Sequence, residues 1–305
     1  MRMLEGKVAV ITGAGRGIGR GIALHMASQG ARVLVNDLGG SVHGEGQDPR
    51  VAEEVAEEIR AAGGQAAACT ETVATWEGGR KIIRAALESF GRVDILVNNA
   101  GILRDRFIWR MSEEEWDAVL RVHLHGSFFC TRAVAPHLKQ QRSGRILFIT
   151  STAGFIGTQA QANYGAAKMG MVGLCRNAAL DMQRYQVTAN CIAPFAWTRI
   201  PASIPCATEA VAESVNRLFA GMTPGDVAPL ASFLASNPAE GITGQIFGVR
   251  GKEIYLFDQP RVLRSLHRAE GWSPEELAAV LEPSFRTHLT PLDDSTTFFT
   301  WKALT

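Results

Sequence analysis

Hydrophobic residues along the first half of the chain occur in short, uninterrupted runs separated by longer amphipathic stretches. Four of these runs are rich in β-branched residues or leucine and end at or just before Gly, Asn, Asp or Ser; they cover residues 7–12, 31–37, 93–99 and 145–151. Such runs are typical of parallel strands buried on both faces. The stretches between them include DPRVAEEVAEEIRAAGG, which has helical periodicity. This alternation predicts an α/β fold with a doubly wound parallel sheet and ligands at the carboxyl ends of its strands.

The strand–helix pattern stops after residue 251. We therefore expect a single domain over residues 5–251, followed by a C-terminal extension over residues 252–305. The extension has one clear helix signal, WSPEELAAVL, in which Ser273 can cap, Pro274 fits the first helical position and Glu276 completes a capping box. We expect the extension to pack on the domain, either over the ligand site or against a second subunit.

Composition narrows the class of protein. The 305 residues are 46% apolar and 20% charged, with a net charge of +1, so no global field would attract nucleic acid or a membrane surface. The five cysteines have no metal-ligand or CxxC spacing, which is typical of reduced thiols in a reducing compartment. The N-terminus has no signal-peptide pattern and no run is long enough to span a membrane. We expect a cytoplasmic protein without a membrane span.

Residues 12–19, TGAGRGIG, form a glycine-rich turn between a predicted strand and a predicted helix. Glycines there let the backbone approach a diphosphate at the helix N-terminus. Asp37 ends the second strand, where a carboxylate can accept hydrogen bonds from both ribose hydroxyls of an adenosine. The alternative, that Asp37 only forms a turn, is disfavoured by the strand, loop and helix around it. The candidate contacts in the loop are Gly13, Arg16, Gly17, Ile18 and Gly19.

Asp37 also bears on which dinucleotide binds. A carboxylate at this position would repel the 2′-phosphate of NADP at close range. Arg16 argues mildly the other way, because it could pair with that phosphate, although a guanidinium near a diphosphate also serves NAD. We give Asp37 the greater weight and predict NAD as the cofactor.

Residues 162–173, ANYGAAKMGMVG, contain Tyr164 and, four positions later, Lys168. On a helix these two residues lie on the same face, so the phenol and the ammonium would lie side by side. The pair is either an acid–base device or an ordinary solvated surface pair. Taken alone, it does not decide between the two.

The motifs TGAGRGIG, NNAG at 98–101, Ser151 and YGAAK at 164–168 resemble, in order and spacing, those of the short-chain dehydrogenase/reductase family. The resemblance covers roughly residues 5–251 and implies a Rossmann fold, an NAD(P)-dependent hydride transfer between an alcohol and a ketone, and a homodimer or homotetramer. The segment VNDLGGSVHGEG is also similar to the (3R)-hydroxyacyl-CoA dehydrogenases of the multifunctional-enzyme type 2 group, also called 17β-hydroxysteroid dehydrogenase type 4. The tail is similar to that of stand-alone bacterial relatives of this group.

The family resemblance assigns roles to individual residues. Tyr164 would accept the proton of the alcohol, and Lys168, helped by the positive nicotinamide ring, would lower the pKa of the phenol from about 10 to about 7. Ser151 would donate a hydrogen bond to the substrate oxygen. The further cofactor contacts implied, besides Tyr164 and Lys168, are Thr72, Val73, Asn99, Ala100, Gly101, Pro194 and Thr198.

Three positions depart from the family pattern. His123 stands where most members have an asparagine that holds a helix kink and a relay water; it either does the same work, as a fourth candidate catalytic residue, or is merely satisfied by helix backbone. Thr72 replaces the aspartate that meets the adenine, and Phe195 replaces the glycine after Pro194. His125 lies on a different helical face from His123, so we expect no metal site.

The substrate side is apolar in sequence. A lid is expected at about residues 195–222, with apolar side chains at Phe195, Trp197, Ile200, Leu218, Phe219 and Met222 that suit an acyl chain or a steroid. Four arginines near the site mouth could contact the phosphates of coenzyme A or be ordinary surface charge: Arg104, Arg106, Arg110 and Arg199.

We predict an NAD-dependent oxidoreductase acting on a small-molecule alcohol or ketone, with a (3R)-3-hydroxyacyl-CoA as first choice. A hydroxysteroid is the alternative substrate. A carrier-protein ketoreductase is disfavoured by Asp37, because those reductases generally use NADPH. A catalytically silent dinucleotide sensor is disfavoured because Ser151, Tyr164 and Lys168 are all present.

Overall fold

A computed structural model of the chain describes residues 2–195, 222–295 and 298–299. Its strands are β1 Val8–Thr12, β2 Arg32–Asn36, β3 Gln65–Cys69, β4 Ile95–Asn98, β5 Gly144–Ile149, β6 Val187–Phe195, β7 Ile246–Arg250 and β8 Glu253–Phe257. They form one sheet in the order β3-β2-β1-β4-β5-β6-β7-β8. Every neighbouring pair is parallel except β7 and β8, which are antiparallel. The sheet is therefore doubly wound, with its topological switch between β1 and β4.

The helices cover both faces of the sheet. They are α1 Gly17–Ser28, α2 Arg50–Ala61, α3 Trp76–Phe90, α4 Glu113–Leu120, α5 Gly126–Gln141, α6 Ala162–Met182, α7 Ala228–Leu234 and α8 Pro274–Phe285. Side chains of α1, α2 and α7 share one buried cluster with one face of the strands. Side chains of α3, α5 and α6 share a second cluster with the opposite face. Among the described residues, no helix is both long and apolar enough to cross a membrane.

The sequence of the strands follows from this three-layer arrangement. Successive residues of a strand point to opposite faces, so a strand covered on both sides must be apolar at every position. Val10 accordingly packs in one core cluster and Ile11 in the other, and both are fully buried. The four predicted strands are confirmed as β1, β2, β4 and β5, each within two residues of its expected ends.

Four strands lie outside that prediction, namely β3, β6, β7 and β8. β3 is the alanine-rich segment QAAAC, and its small side chains give little strand signal. β8 follows residue 251, so the expectation that the strand pattern stops there is wrong. Along β8 exposed Ile254 and Leu256 alternate with the more buried Tyr255 and Phe257, as expected for an edge strand with one covered face. The division into a domain and an extension stays a prediction.

The C-terminal segment returns to the carboxyl end of the sheet. The capping box of α8 is confirmed, because the Ser273 hydroxyl accepts from the Glu276 amide and the Glu276 carboxylate accepts from the Ser273 amide. Farther on, the Ser295 amide donates to the Gly157 carbonyl oxygen at 2.7 Å. The ring of Phe299 lies 5.0 Å from that of Phe195, the last residue of β6. The tail thus contacts two segments that border the candidate site.

Candidate active site

The predicted site residues converge on one edge of the sheet. The glycine-rich loop follows β1, Asp37 follows β2, the NNAG turn ends β4 and Ser151 follows β5. Because the carboxyl ends of parallel strands lie at the same edge, these loops surround the switch point between β1 and β4.

The glycine-rich loop is tightly packed against the NNAG turn. Gly13 has a φ of 63°, and a Cβ there would lie 2.7 Å from the Cα of Ala100. A Cβ at Gly19 would lie 2.2 Å from the Gly13 carbonyl oxygen. Both positions require glycine, and the backbone they allow can approach a diphosphate at the start of α1, where Gly17 has a φ of 54°.

Asn99 and Thr12 hold the two turns together. The Asn99 side-chain amide donates to the carbonyl oxygens of Thr12 and Gly13, both at 2.9 Å. In return the Thr12 hydroxyl accepts from the backbone amides of Asn99 and Ala100 at 3.0 and 3.1 Å. The structure therefore gives Asn99 a defined part in shaping the loop.

The Asp37 carboxylate is positioned by backbone amides. One oxygen accepts from the Gly15 amide at 2.9 Å and the other from the Gly39 amide at 2.7 Å. Each carboxylate oxygen can accept a second hydrogen bond, and the side chain is only half-buried, so it fits ribose hydroxyls as partners. The Arg16 guanidinium donates to the Gly40 carbonyl oxygen at 3.4 Å, along the loop that follows Asp37.

The remaining predicted contacts fall into two groups. Ile18 is half-buried in the first turn of α1, and Val73, 9% exposed, follows β3 beside the half-buried Thr72, whose hydroxyl accepts from the Ala74 amide at 3.1 Å. Pro194 and Phe195 end β6, opposite Val249 and Arg250 of β7. Thr198, Arg199 and residues 196–221 of the expected lid lie outside the described residues. Phe195 and Met222, at the ends of the lid, are buried together with Phe299.

Tyr164 and Lys168 lie on α6 as predicted, with the ammonium nitrogen 5.4 Å from the centroid of the phenol ring. Lys168 is buried, 3% exposed, and its Nζ donates to the Ile149 carbonyl oxygen at 2.5 Å. Its own carbonyl oxygen accepts from the Thr150 hydroxyl at 2.8 Å. Ser151 lies close enough to the Tyr164 hydroxyl to lower the pKa of that group. The structure therefore brings the three residues together, and the solvated surface pair is excluded.

Burial is the main cause of the pKa shifts of Tyr164 and Lys168. Desolvation raises the pKa of Tyr164 to about 12, while the nearby Ser151 acts to lower it and the charge of Asp105 to raise it. Desolvation also lowers the pKa of Lys168 to about 7. The expected lowering of the Tyr164 pKa toward 7 involves the nicotinamide ring as well as Lys168 and stays a prediction for the complex; in the protein by itself both charged forms lose solvation.

His123 lies in a single π-helical turn, Arg121–His125, between α4 and α5. Its Nε2 is 2.8 Å from the carbonyl oxygen of Ile102 and 3.0 Å from the amide nitrogen of the same residue. One ring nitrogen can make only one of these hydrogen bonds in a given tautomer. Desolvation lowers the pKa of His123 to about 3, so the ring is neutral. The imidazole also lies edge-on to the Tyr164 ring, with centroids 5.2 Å apart.

Two residues that the sequence analysis did not select support the segment before the tyrosine. Asn163 is fully buried; its amide donates to the carbonyl oxygens of Arg104 and Glu115, and its side-chain oxygen accepts from the Tyr164 amide at 2.7 Å. Gln161 donates to the Asp105 carboxylate at 2.8 Å. An Asn at the start of a helix was the available signal for Asn163. No local sequence pattern marked Asp105 as a residue of the site.

The arginines of the site mouth differ in how they are paired. Arg104 pairs with Glu114, and Arg106 with Glu115. Arg110 is exposed, in a turn whose neighbours Phe107 and Trp109 stack with centroids 4.8 Å apart. Ion pairing thus engages two of the predicted phosphate contacts, whereas Arg110 is exposed and has no ion-pair partner among the described residues.

In the part of the chain that the structure describes, no group of three or more His, Cys, Asp or Glu side chains could hold a metal ion.

Comparison with known proteins agrees with this geometry. Residues 7–198 match the family model of the short chain dehydrogenases. A putative short-chain type dehydrogenase/reductase of Mycobacterium tuberculosis is 46% identical over 266 residues, covering 84% of this chain and 90% of that protein. A hydroxyacyl-CoA dehydrogenase of the same organism is 40% identical over 296 residues, covering 92% of this chain and 89% of the relative.

Two further matches extend the comparison. The peroxisomal multifunctional enzyme type 2 of Drosophila melanogaster is 45% identical over 236 residues, which cover 77% of this chain but only 38% of that enzyme. The crystal structure of a short chain dehydrogenase from Mycobacterium avium superposes with a TM-score of 0.83 at 38% identity, covering 96% of this chain and 99% of that one. Taken with the site geometry, these matches show that the chain belongs to the short-chain dehydrogenase family and is an oxidoreductase that binds a nicotinamide cofactor.

Proposed function

We propose that the protein is an NAD-dependent dehydrogenase that oxidises the hydroxyl group of a (3R)-3-hydroxyacyl-CoA. The observation that carries the proposal is the meeting of Ser151, Tyr164 and Lys168 at the carboxyl edge of the sheet, beside the glycine-rich loop. Relatives named as a hydroxyacyl-CoA dehydrogenase and as multifunctional enzyme type 2 support the substrate class.

In this proposal the residues divide the work by their chemistry. Bound NAD would supply the hydride acceptor and a positive ring. Ser151 donates a hydrogen bond to the substrate oxygen and orients it toward Tyr164. Tyr164 accepts the hydroxyl proton. Lys168 holds the cofactor ribose and, when protonated, stabilises the phenolate. With a pKa of about 7, Lys168 is able to exchange protons near neutral pH.

His123 serves in this scheme as a positioning residue. Its ring contacts Ile102 through Nε2 and lies edge-on to the phenol of Tyr164. It thereby fixes the turn after β4 against the base. Being neutral, it adds no charge that would compete with Lys168. A side-chain amide could make the same contact with Ile102, which is consistent with the asparagine that the family resemblance implies here.

The choice of NAD over NADP is supported by Asp37. A 2′-phosphate would come close to a carboxylate that two backbone amides already hold in place. Arg16 contributes little in the opposite sense, because its guanidinium donates to the Gly40 carbonyl oxygen.

A coenzyme A substrate is supported at the mouth of the site. Trp109 is 73% exposed and stacks on Phe107, and the neighbouring Arg110 is exposed as well. An exposed aromatic face next to a guanidinium suits an adenine ring that carries phosphates. This turn belongs to the loop after β4. At the inner end of that loop, Asp105 accepts a hydrogen bond from Gln161, which lies just before the helix that carries Tyr164.

We also infer a homo-oligomer in the cytoplasm. Phe128 of α5 and Met169 and Leu180 of α6 are large apolar side chains at least 40% exposed, and a second copy of the chain would cover such a surface. The four cysteines among the described residues are free and buried, in keeping with a reducing compartment.

The proposal is tested by the initial rate of NADH formation with purified protein. A (3R)-hydroxyacyl-CoA, its 3S enantiomer and a panel of hydroxysteroids are compared, each with NAD and with NADP. We expect a rate confined to the 3R thioester and NAD. Activity on hydroxysteroids alone would replace the substrate class, and a preference for NADP would overturn the role of Asp37.

A further inference from the structure

A carboxylate that has no part in the proposed reaction lies beside the tyrosine. Asp105 is on the loop after β4, and one of its oxygens accepts from the Gln161 side chain at 2.8 Å. Its other oxygen is buried and has no hydrogen-bond partner in the part of the chain that the structure describes. A buried carboxyl group with a free oxygen is costly, because the lost hydration is only partly replaced. A buried carboxyl group with this cost needs a functional explanation.

Several contacts fix Asp105 relative to Tyr164. Gln161 is the residue just before α6 and lies three residues before Tyr164 in the chain. The Arg106 amide donates to the Ala160 carbonyl oxygen at 2.8 Å, so the two segments run side by side. Ile102, on the same loop, packs against Tyr164. Asp105 is therefore held against the segment that carries the base.

Charged and titratable groups face Tyr164 from four elements of the fold. Lys168 lies one turn along α6, and the neutral His123 faces the ring from the π-helical turn. Asp105 faces it from the loop after β4, with His43 of the loop after β2 next to that carboxylate. The adjacent Arg104 and Arg106 are paired with Glu114 and Glu115. Among the described residues, Asp105 thus adds a negative charge that disfavours the phenolate, as a smaller effect than burial.

We propose that Asp105 is a positioning residue that adds to burial in keeping Tyr164 protonated in the free enzyme. Its carboxylate, anchored through Gln161, disfavours the phenolate and opposes the pull of Lys168. The tyrosine is thereby held back from acting as a base in the free enzyme. This inference rests on the proposed role of Tyr164, but its test uses neither substrate nor cofactor, so the two can fail separately.

The test is a spectroscopic titration of the phenol in the free protein. The chain has three tyrosines, so the absorbance of tyrosinate assigned to Tyr164 is the difference between a protein and its Tyr164→Phe counterpart. Stopped-flow pH jumps record ionisation before the chain can unfold at high pH. In Asp105→Asn, which keeps an oxygen for Gln161, we expect Tyr164 to ionise at a pH lower by about half a unit or more.

Two further variants separate charge from structure. Asp105→Glu keeps the charge and should titrate close to the wild type. Asp117→Asn removes an exposed carboxylate from α4 and should leave the titration unchanged. An unchanged or higher ionisation pH in Asp105→Asn would overturn the proposal. So would a shift found in Asp105→Ala but not in Asp105→Asn, because it would assign the effect to the bond with Gln161.

Discussion

At the dinucleotide end of the site, the half-buried Asp37 is held by two backbone amides, whereas at the catalytic end Lys168 and His123 are buried with few partners. Asp37 keeps oxygens that can still accept from a ligand. Desolvation, by contrast, shifts the pKa of Tyr164, Lys168 and His123, each away from its charged form. At the dinucleotide end the carboxylate is held by hydrogen bonds. At the catalytic end burial destabilises the charged forms of the titratable groups.

The difference follows from what each end has to do. A binding site gains from groups that are already oriented, because ordering them on binding would cost free energy. A proton-transfer site needs groups that are able to change charge near neutral pH, and burial is one way to bring a lysine into that range. The cost appears as lost stability, which the core elsewhere has to offset.

The strongest test of this contrast is Tyr164→Phe. The variant keeps the ring that packs against the cluster of Ile102 and lies edge-on to His123, and it removes the phenolic oxygen proposed to accept the proton. We expect NADH to bind within about threefold of wild type and kcat to fall by about 1,000-fold or more. Fluorescence titration of NADH and steady-state rates measure the two quantities. A kcat within about tenfold of wild type would show that Tyr164 is not the base.

Lys168→Met tests the catalytic end, because the substitution should lower activity and raise the unfolding free energy. The folded-state pKa of about 7 lies below the ordinary value of 10.5, so between these pH values the unfolded chain binds more protons. Native stability therefore rises with pH across this window, and the penalty is largest at its acidic end. After allowance for the lost bond to Ile149, we expect the variant to gain about 1–3 kcal/mol in unfolding free energy at pH 7.

Denaturant unfolding of Lys168→Met and wild type at several pH values measures this gain. It should shrink as the pH approaches 10.5, while activity falls by about 100-fold or more. Lys139→Met serves as a control, because Lys139 is exposed. Equal stability of Lys168→Met and wild type at every pH would contradict the cost assigned to burial.

Asp37→Ser tests the dinucleotide end. The loss of a charged acceptor should weaken NAD binding by about 10–100-fold and reduce the preference for NAD over NADP. Because Asp37 takes no part in proton transfer, kcat at saturating NAD should stay within about tenfold of wild type. Dissociation constants for both cofactors provide the measurement. An unchanged ratio of the two constants would remove Asp37 as the selector.

The smallest effect is expected for His123→Asn, with His123→Leu as its partner. The amide can still contact Ile102, so activity should stay within about tenfold of wild type, whereas leucine should lose about 100-fold. The pKa of His123, lowered from 6.5 to about 3, means that wild type loses stability as the pH falls through this range. His123→Asn should lack this loss, which unfolding curves against pH would show. Equal activity of the two variants would reduce His123 to a packing role.

Local patterns account for what the sequence could predict. The glycine loop and the tyrosine–lysine pair depend on backbone demands and helix spacing within a few residues, and both lie where the sequence predicts, after β1 and on α6. Asn163 and Asp105 depend on contacts between loops far apart in the chain, such as the bond from Asn163 to the Arg104 carbonyl oxygen. The direction of the shift in the pKa of Tyr164 depends on burial, which no local pattern reports. β3 was missed because alanines give little strand signal.

We propose that binding and proton transfer are carried by different ends of the site. The single-turnover rate of NADH formation at saturating NAD and substrate, measured side by side for Asp37→Ser and Tyr164→Phe, tests this division. We expect a rate within about tenfold of wild type for Asp37→Ser and a loss of about 1,000-fold or more for Tyr164→Phe. Losses of similar size in the two variants would contradict it.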